Sequence, residues 1–286
     1  MIDKYTVVDG HVHTFSSDEV SKKILDSFNK MYNIEFTNPG TGTIDDVLQN
    51  MNEAGIDFTI MANFAPAKIL HKNNTWSIEI GRQYKNLVPL VSFHPEMEDP
   101  MDKLMEEYLM KGAKGIKLHP MAQGFDPDND RLSLVYKICE ETAFPVVFHC
   151  GRVSNARLNN YADIDRIVPV IKKYPKIPFV LTHMADGNIG EVFKLADMYE
   201  NVYFDTSIVI TGYPPLLKVN EPSWPHNEVV EYVIKKIGAN RVIFGSDYPW
   251  GSPCHDLSRF IEMEFEDDEK SMILGENAIK IFKINS

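Results

Sequence analysis

Apolar and polar positions along this chain fall into one repeating unit. A short apolar run is followed by a polar loop and then by a stretch with apolar residues every three or four positions. The first run is Val7-Val8-Asp9-Gly10-His11-Val12-His13. From Asp18 to Tyr32, Val20, Ile24, Leu25, Phe28 and Met31 recur at helical spacing. Gly40-Thr41-Gly42-Thr43 breaks that pattern. Thr43 then caps a second helix, with Asp46 in its first turn, that runs through Val47, Leu48 and Met51 and stops at Gly55.

The same alternation continues. Strands are expected at 56–63, 87–93, 113–118, 145–148, 177–182, 201–205 and 241–244. Helices are expected at 74–84, 101–111, 132–143, 164–174, 189–199 and 228–237, with two short ones closing the chain. The strands are continuous apolar runs, which fits a sheet buried on both faces. With the first run they make eight βα units, and 286 residues suit one α/β TIM barrel, a (β/α)8 domain spanning 1–286. An open doubly wound sheet is the alternative, but no glycine-rich dinucleotide fingerprint follows any strand. The longest irregular pieces, 33–43, 64–75, 120–130 and 207–227, are expected as loop insertions over the barrel mouth.

Charge and cysteine usage narrow the partners. The net charge is −12 with no long basic run, which argues against nucleic acid or an anionic membrane surface. No stretch approaches 18 uninterrupted apolar residues, so no membrane span is expected. Cys139, Cys150 and Cys254 are few, odd in number and widely spaced, and the first residues lack a charged-then-apolar leader pattern. Reduced thiols and a cytoplasmic location are the expectation. A small-molecule substrate remains.

Candidate chemistry gathers at the ends of the strands. In an extended strand, residues i and i+2 share a face, so His11 and His13 converge as a half-site for a divalent metal. Beyond them lie His94, Lys117, His119, His149, His183 and Asp247, each at or just past a predicted strand end. Core histidines satisfied one by one have no reason to collect at one end of a barrel, whereas metal ligands do. His94 and His119 precede prolines and either line the pocket or cap a strand. Arg152 offers a planar fork for a substrate carboxylate, or a salt bridge to a neighbouring acid. Cys150 points away from its histidine neighbour and is read as packing. His71, His226 and His255 are read as surface or loop residues.

Taken together, Asp9-Gly10-His11-Val12-His13, Gly115-Ile116-Lys117-Leu118-His119-Pro120, Val147-Phe148-His149-Cys150-Gly151, Thr182-His183 and Phe244-Gly245-Ser246-Asp247-Tyr248-Pro249 resemble the amidohydrolase superfamily. The likeness is to its amidohydrolase-related (amidohydrolase 2) branch, which includes aminocarboxymuconate semialdehyde decarboxylase. The C-terminal Ile273-Leu274-Gly275-Glu276-Asn277-Ala278 also fits. By that resemblance, His11, His13, His149 and Asp247 hold one divalent metal, zinc first and manganese as the alternative. His183 is then the acid/base beside it, with Asp247 sharing the proton chemistry. Two-metal members carry a carboxylated lysine on the fourth strand, where Lys117 sits, but the Lys-Leu-His-Pro run points to the one-metal branch.

Arg152, Lys117 and His119 are the candidates for binding substrate, and relatives are often homodimers. Two reactions fit this set. One is metal-dependent hydrolysis of an amide, lactone or ester of a small carboxylated molecule. The other is non-oxidative decarboxylation of an unsaturated or aromatic acid. A non-catalytic metal-binding barrel is a third reading, and the extra acid/base argues against it.

Overall fold

Eight parallel strands pair in the order in which they occur: β1 (Val8–Val12), β2 (Phe58–Met61), β3 (Leu87–Val91), β4 (Gly115–Leu118), β5 (Val146–Phe148), β6 (Phe179–Leu181), β7 (Val202–Asp205) and β8 (Val242–Ile243). The computed structural model describes residues 4–32, 40–152, 159–161, 163–210, 212 and 224–285. Every strand lies inside the apolar run that predicts it. The sheet closes on itself through the backbone. Gly10 N–H donates to Phe244 O at 2.9 Å, Asp247 N–H to His11 O at 2.9 Å, and His13 N–H to Tyr248 O at 2.8 Å. The fold is therefore the expected (β/α)8 barrel.

The surrounding helices are α1 (Asp18–Tyr32), α2 (Ile44–Ala54), α3 (Ala67–Gln83), α4 (Met101–Lys111), α5 (Ser133–Thr142), α6 (Ile164–Lys173), α7 (Ile189–Met198) and α8 (Asn227–Ile237). Each packs the stripe its spacing implies. α6 buries Ile167, Val170 and Ile171, and α8 buries Val230, Val233 and Ile234. Fully burying such side chains contributes roughly 1.5–3 kcal/mol apiece. Gly55 and Gly112 end α2 and α4 in left-handed conformation, with φ of 72° and 101°. After β8 come α9 (Pro253–Glu262), α10 (Asp267–Ser271), a wide turn at Met272–Glu276 and α11 (Asn277–Phe282). α11 plugs the lower end of the barrel. Its Ala278, Ile281 and Phe282 pack on the inward residues Val8, Ile60, Val88, Leu90, Val147, Val180 and Ile243.

Three local differences from expectation have physical reasons. The stretch 64–75 is not a loop, because α3 begins at Ala67. Its buried face carries Asn74 and Ser77 beside Leu70 and Ile78, and these polar residues interrupt the apolar stripe. Asn74 is there to bond β3: it donates to Ser92 O at 2.8 Å and accepts from Ser92 N–H at 2.9 Å. Within 120–130, Pro120–Gln123 forms a single helical turn closed by Gly124. Thirdly, β1 is not regular. Its pairing with β2 slips between Asp9 and Val12, so one extra residue is accommodated. Residues 33–39 and 213–223, parts of two expected mouth loops, lie outside the described residues. Among the described residues no helix is long and apolar enough to cross a membrane.

The seam between β8 and β1 leaves no room at Gly10. A Cβ there would stand 2.8 Å from Phe244 O and 2.5 Å from Ile243 Cγ2. Gly10→Ala is expected to destabilise the fold by about 1–3 kcal/mol. Urea unfolding of the variant measures it, and an unchanged midpoint would contradict this account of the seam.

Candidate metal centre

Closure of β8 onto β1 brings Asp247 against both histidines of the first strand. His13 Nε2 lies 3.2 Å and His11 Nε2 3.5 Å from Asp247 Oδ1. The ligand atoms of the three residues all fall within 4.8 Å of one another. All three are buried. Asp247 reaches this position in left-handed conformation, φ 63°, four residues beyond the last strand. His13 is wedged between the rings of Phe64 and Trp250, with centroids at 5.8 and 5.2 Å. Its neighbour Thr14 is tied to β2, where Asn63 Oδ1 accepts from Thr14 N–H at 2.8 Å.

Protonation states suit a cation. Burial and then the Lys117 charge lower His11 to about 4, so its ring is neutral near pH 7. Its Nδ1 faces Asp205 Oδ2 at 3.0 Å and Ser207 Oγ at 3.1 Å. With Nδ1–H donated to Asp205, Nε2 presents its lone pair to the cluster, where Lys117 Nζ meets it and a metal would take that place. Burial works against the charge on Asp205, but the His11 ring, the bond from its Nδ1 and the Ser207 hydroxyl hold that carboxyl at about 2. Burial likewise opposes ionisation of Asp247, yet His11, His13 and His183 around it keep it well below the usual carboxylate range.

His183 follows β6 and starts an unusual turn. His183, Met184, Ala185 and Asp186 all have positive φ, from 47° to 62°. Consecutive left-handed residues cost roughly 1–2 kcal/mol each. Tertiary bonds hold them: His183 N–H donates to Asp205 Oδ1 at 2.9 Å, and Trp224 Nε1 to Gly187 O at 3.0 Å. The His183 ring lies beside His11, with centroids 5.2 Å apart. Its Nδ1 meets Ser207 O at 3.2 Å, and a carbonyl only accepts, so that nitrogen carries a proton. Its Nε2 points at His149 Nδ1, 3.3 Å away.

The structure places the remaining sequence candidates as follows. His149 does not join His11, His13 and Asp247 at ligand distance. It meets the group through His183, on its Nδ1 side, and its Nε2, next to Gly151, is buried with no hydrogen-bond partner. Two imidazoles converging on one carboxylate, His11 and His13 on Asp247, are a fit for a cation. Lys117 is fully buried with Nζ 3.0 Å from His11 Nε2, and burial lowers its ammonium to about 8. His119 stacks face to face on His149, centroids 3.7 Å apart. His94 stays outside the cluster: its Nε2 bonds Gln123 O at 3.0 Å and its Nδ1 accepts from Glu96 N–H, so it braces a loop. Arg152 does not reach the cluster. Its side chain is 64% exposed and bonds Asp163 at 2.7 Å, so of its two sequence readings the structure has the ion pair. His71, His226 and His255 are exposed, and Cys150 is buried.

A cavity of about 170 Å³ opens over these groups. Its walls are His13, His119, His149 and Asp247 with Ile24, Ser27, Phe28, Phe64, Met121, Ala122 and Trp250. Asp205, Ser207 and Asn63 were not among the sequence candidates. Asp205 does close a predicted strand, so its position at a strand end was available as a signal. Ser207 and Asn63 carry none.

A buried donor set at the C-terminal mouth of a parallel eight-stranded barrel defines a barrel enzyme built to use a divalent metal. The chain belongs to the amidohydrolase family (Amidohydrolase), whose profile matches residues 8–284. No curated protein matches it. Among solved structures it is similar to 5-carboxyvanillate decarboxylase from Novosphingobium aromaticivorans, with bound manganese and 3-methoxy-4-hydroxy-5-nitrobenzoic acid, at 14% identity and a TM-score of 0.72, covering 98% of this chain and 97% of that one. It is also similar to 2,6-dihydroxybenzoate decarboxylase from Rhizobium (14%, TM-score 0.71, 99% and 100% covered). A third is a provisionally assigned 2-pyrone-4,6-dicarboxylic acid hydrolase from Pseudomonas putida (17%, TM-score 0.69, 98% of each chain). Likeness at these identities speaks to the fold.

Asp205→Asn removes the acceptor that sets the His11 tautomer. Metal affinity, measured by competition with a chromogenic chelator, is expected to fall by about 10- to 100-fold. Unchanged affinity would mean that His11 takes no part in holding the ion.

Proposed function

We propose that this protein is a metal-dependent, non-oxidative decarboxylase of a small unsaturated or aromatic carboxylic acid. One observation carries the reading. Among the described residues, the cavity has no lysine or arginine in its walls. Its apolar walls are Ile24, Phe28, Phe64, Met121, Ala122 and Trp250, and its polar ones are Ser27, His13, His119, His149 and Asp247. A planar apolar body fits between such walls. Its carboxylate then has one place where its charge is met, the donor cluster itself. That is where a carboxylate about to leave as CO2 has to sit. A spectator carboxylate, as on a charged hydrolase substrate, would need a cation elsewhere, and Arg152 is committed to Asp163. The decarboxylases of aromatic acids among the similar structures are in keeping with this.

His11, His13, His149 and Asp247 are the proposed metal-holding residues, with zinc or manganese as the ion. When bound, the ion supplies positive charge that anchors the carboxylate. The chain's residues do the rest. Asp205 fixes His11, and Phe64 and Trp250 hold His13 and flank the substrate. His183, its Nδ1–H retained by Ser207 O, carries a second proton on Nε2 to the carbon that loses CO2. The C–C bond breaks, its electron pair remains on that carbon, and the Nε2 proton completes the new C–H bond. Solvent then restores the proton to His183. Lys117 keeps a positive charge beside the cluster below pH about 8.

The second reading is hydrolysis of an amide, lactone or ester. It is favoured by His183, whose Nε2 is equally able to take a proton from an attacking water. Product analysis separates the two: metal-loaded protein is expected to release CO2 from an aromatic acid, whereas an acid plus alcohol or amine from an ester or amide would establish hydrolysis. Chelator treatment should abolish turnover, and Zn2+ or Mn2+ should restore it; activity indifferent to metal would refute both readings. His183→Asn is expected to keep most of its metal and lose about 10²- to 10⁴-fold in kcat. Loss of metal in that variant would make His183 a ligand instead.

A further inference from the structure

His119 is fixed in a way that its structural role does not use up. Its Nδ1 accepts from Ala122 N–H at 3.2 Å and so caps the turn Pro120–Gln123. Its own N–H donates to Gln123 Oε1 at 3.0 Å. Gln123 is anchored in turn, through Nε2 to Ala65 O at 3.0 Å and through its carbonyl to His94 Nε2 at 3.0 Å. A ring nitrogen that accepts carries no proton, so the one proton of His119 is on Nε2. The ring cannot swing away, because it lies between Phe64, centroid 4.4 Å, and His149, centroid 3.7 Å and 15° from parallel. Nε2 has no hydrogen-bond partner among the described residues, yet it is not one of the buried polar atoms shut off from solvent. The ring lines the cavity that holds His13, Asp247 and Trp250.

We propose that His119 is a specificity-determining donor: its Nε2–H bonds an oxygen of the acid bound in that cavity. The oxygen is either on the carboxylate or on the ring or chain that bears it. This rests on the reading of the protein as an enzyme of carboxylic acids. The capping bond explains Nδ1 and the stacking explains the orientation, but neither explains a proton presented to the cavity. An N–H left unpaired there is costly, so ligands with an oxygen at that point are selected over those without one. A neutral imidazole gives this selectivity without adding charge, which an aromatic wall such as Phe64 tolerates.

Two measurements test it. In 15N-histidine-labelled protein, two-bond 1H–15N correlations should show His119 as the Nε2–H tautomer; the Nδ1–H tautomer would overturn the proposal. Zinc-loaded protein is then titrated with benzoate and with 2-hydroxybenzoate, followed by tryptophan fluorescence. His119→Phe keeps the ring without the donor, and His119→Asn keeps an acceptor for Ala122 N–H without the donor. Both should retain their zinc and weaken binding by about tenfold or more. Equal weakening of the two acids places the accepting oxygen on the carboxylate; weakening of 2-hydroxybenzoate alone places it on the ring, and either supports the assignment. Variants that bind both acids as tightly as the parent protein would refute the assignment while leaving the proposed function standing. A zinc-loaded parent protein that binds neither acid would instead refute the reading of the function on which this one rests.

Discussion

Everything at the mouth of this barrel depends on backbone hydrogen bonds between the last strand and the first. His11 and His13 are separated from Asp247 by more than two hundred residues, and no local interaction brings them together. The bonds from Gly10 to Phe244, from Asp247 to His11 and from His13 to Tyr248 do so, all between 2.8 and 2.9 Å. They close the sheet and, in the same act, assemble the donors. Asp9 reinforces the seam from within, accepting from Ser246 N–H at 3.0 Å and from Ser246 Oγ at 2.5 Å. Folding and site formation are thus one event here.

Burial then sets the chemistry. Five imidazoles and a lysine lie close together at the barrel mouth, all of them buried except His149, which is half-buried. Were they all charged, mutual repulsion and lost hydration would be prohibitive. The protein keeps His11, His13, His119 and His149 neutral through burial and leaves the charge on Asp205 and Asp247. Neutral nitrogens and ionised carboxylates are what a divalent ion requires. The same low polarity suits the apolar body of the proposed substrate, so one physical condition serves both halves of the pocket.

The architecture was legible in the sequence because each strand is a compact apolar run and each helix a regular stripe, and because the stop signals at Gly55 and Gly112 are local. α3 shows the limit. Asn74 and Ser77 sit on its buried face to meet backbone and side chains from elsewhere in the chain, and a pattern that counts apolar residues cannot anticipate such partners. The site divides the same way. Histidines at strand ends are conspicuous, so His11, His13 and His183 stand out in the sequence. Asp205 and Ser207, which orient two of them, are ordinary residues whose importance is entirely relational. The slip in β1 is also invisible in sequence, although it lies among the residues that present the two histidines.

The left-handed turn from His183 to Asp186 bears on how this protein can change over time. Four successive residues there occupy a conformation that glycine or asparagine would adopt more readily, yet none of the four is either. Exchanges that ease the backbone would thus be simple to acquire and would favour heat resistance, while loosening the histidine at the head of the turn. On the proposed role of His183, durability and turnover are set against each other within a single loop, and a lineage drifting toward one would surrender part of the other.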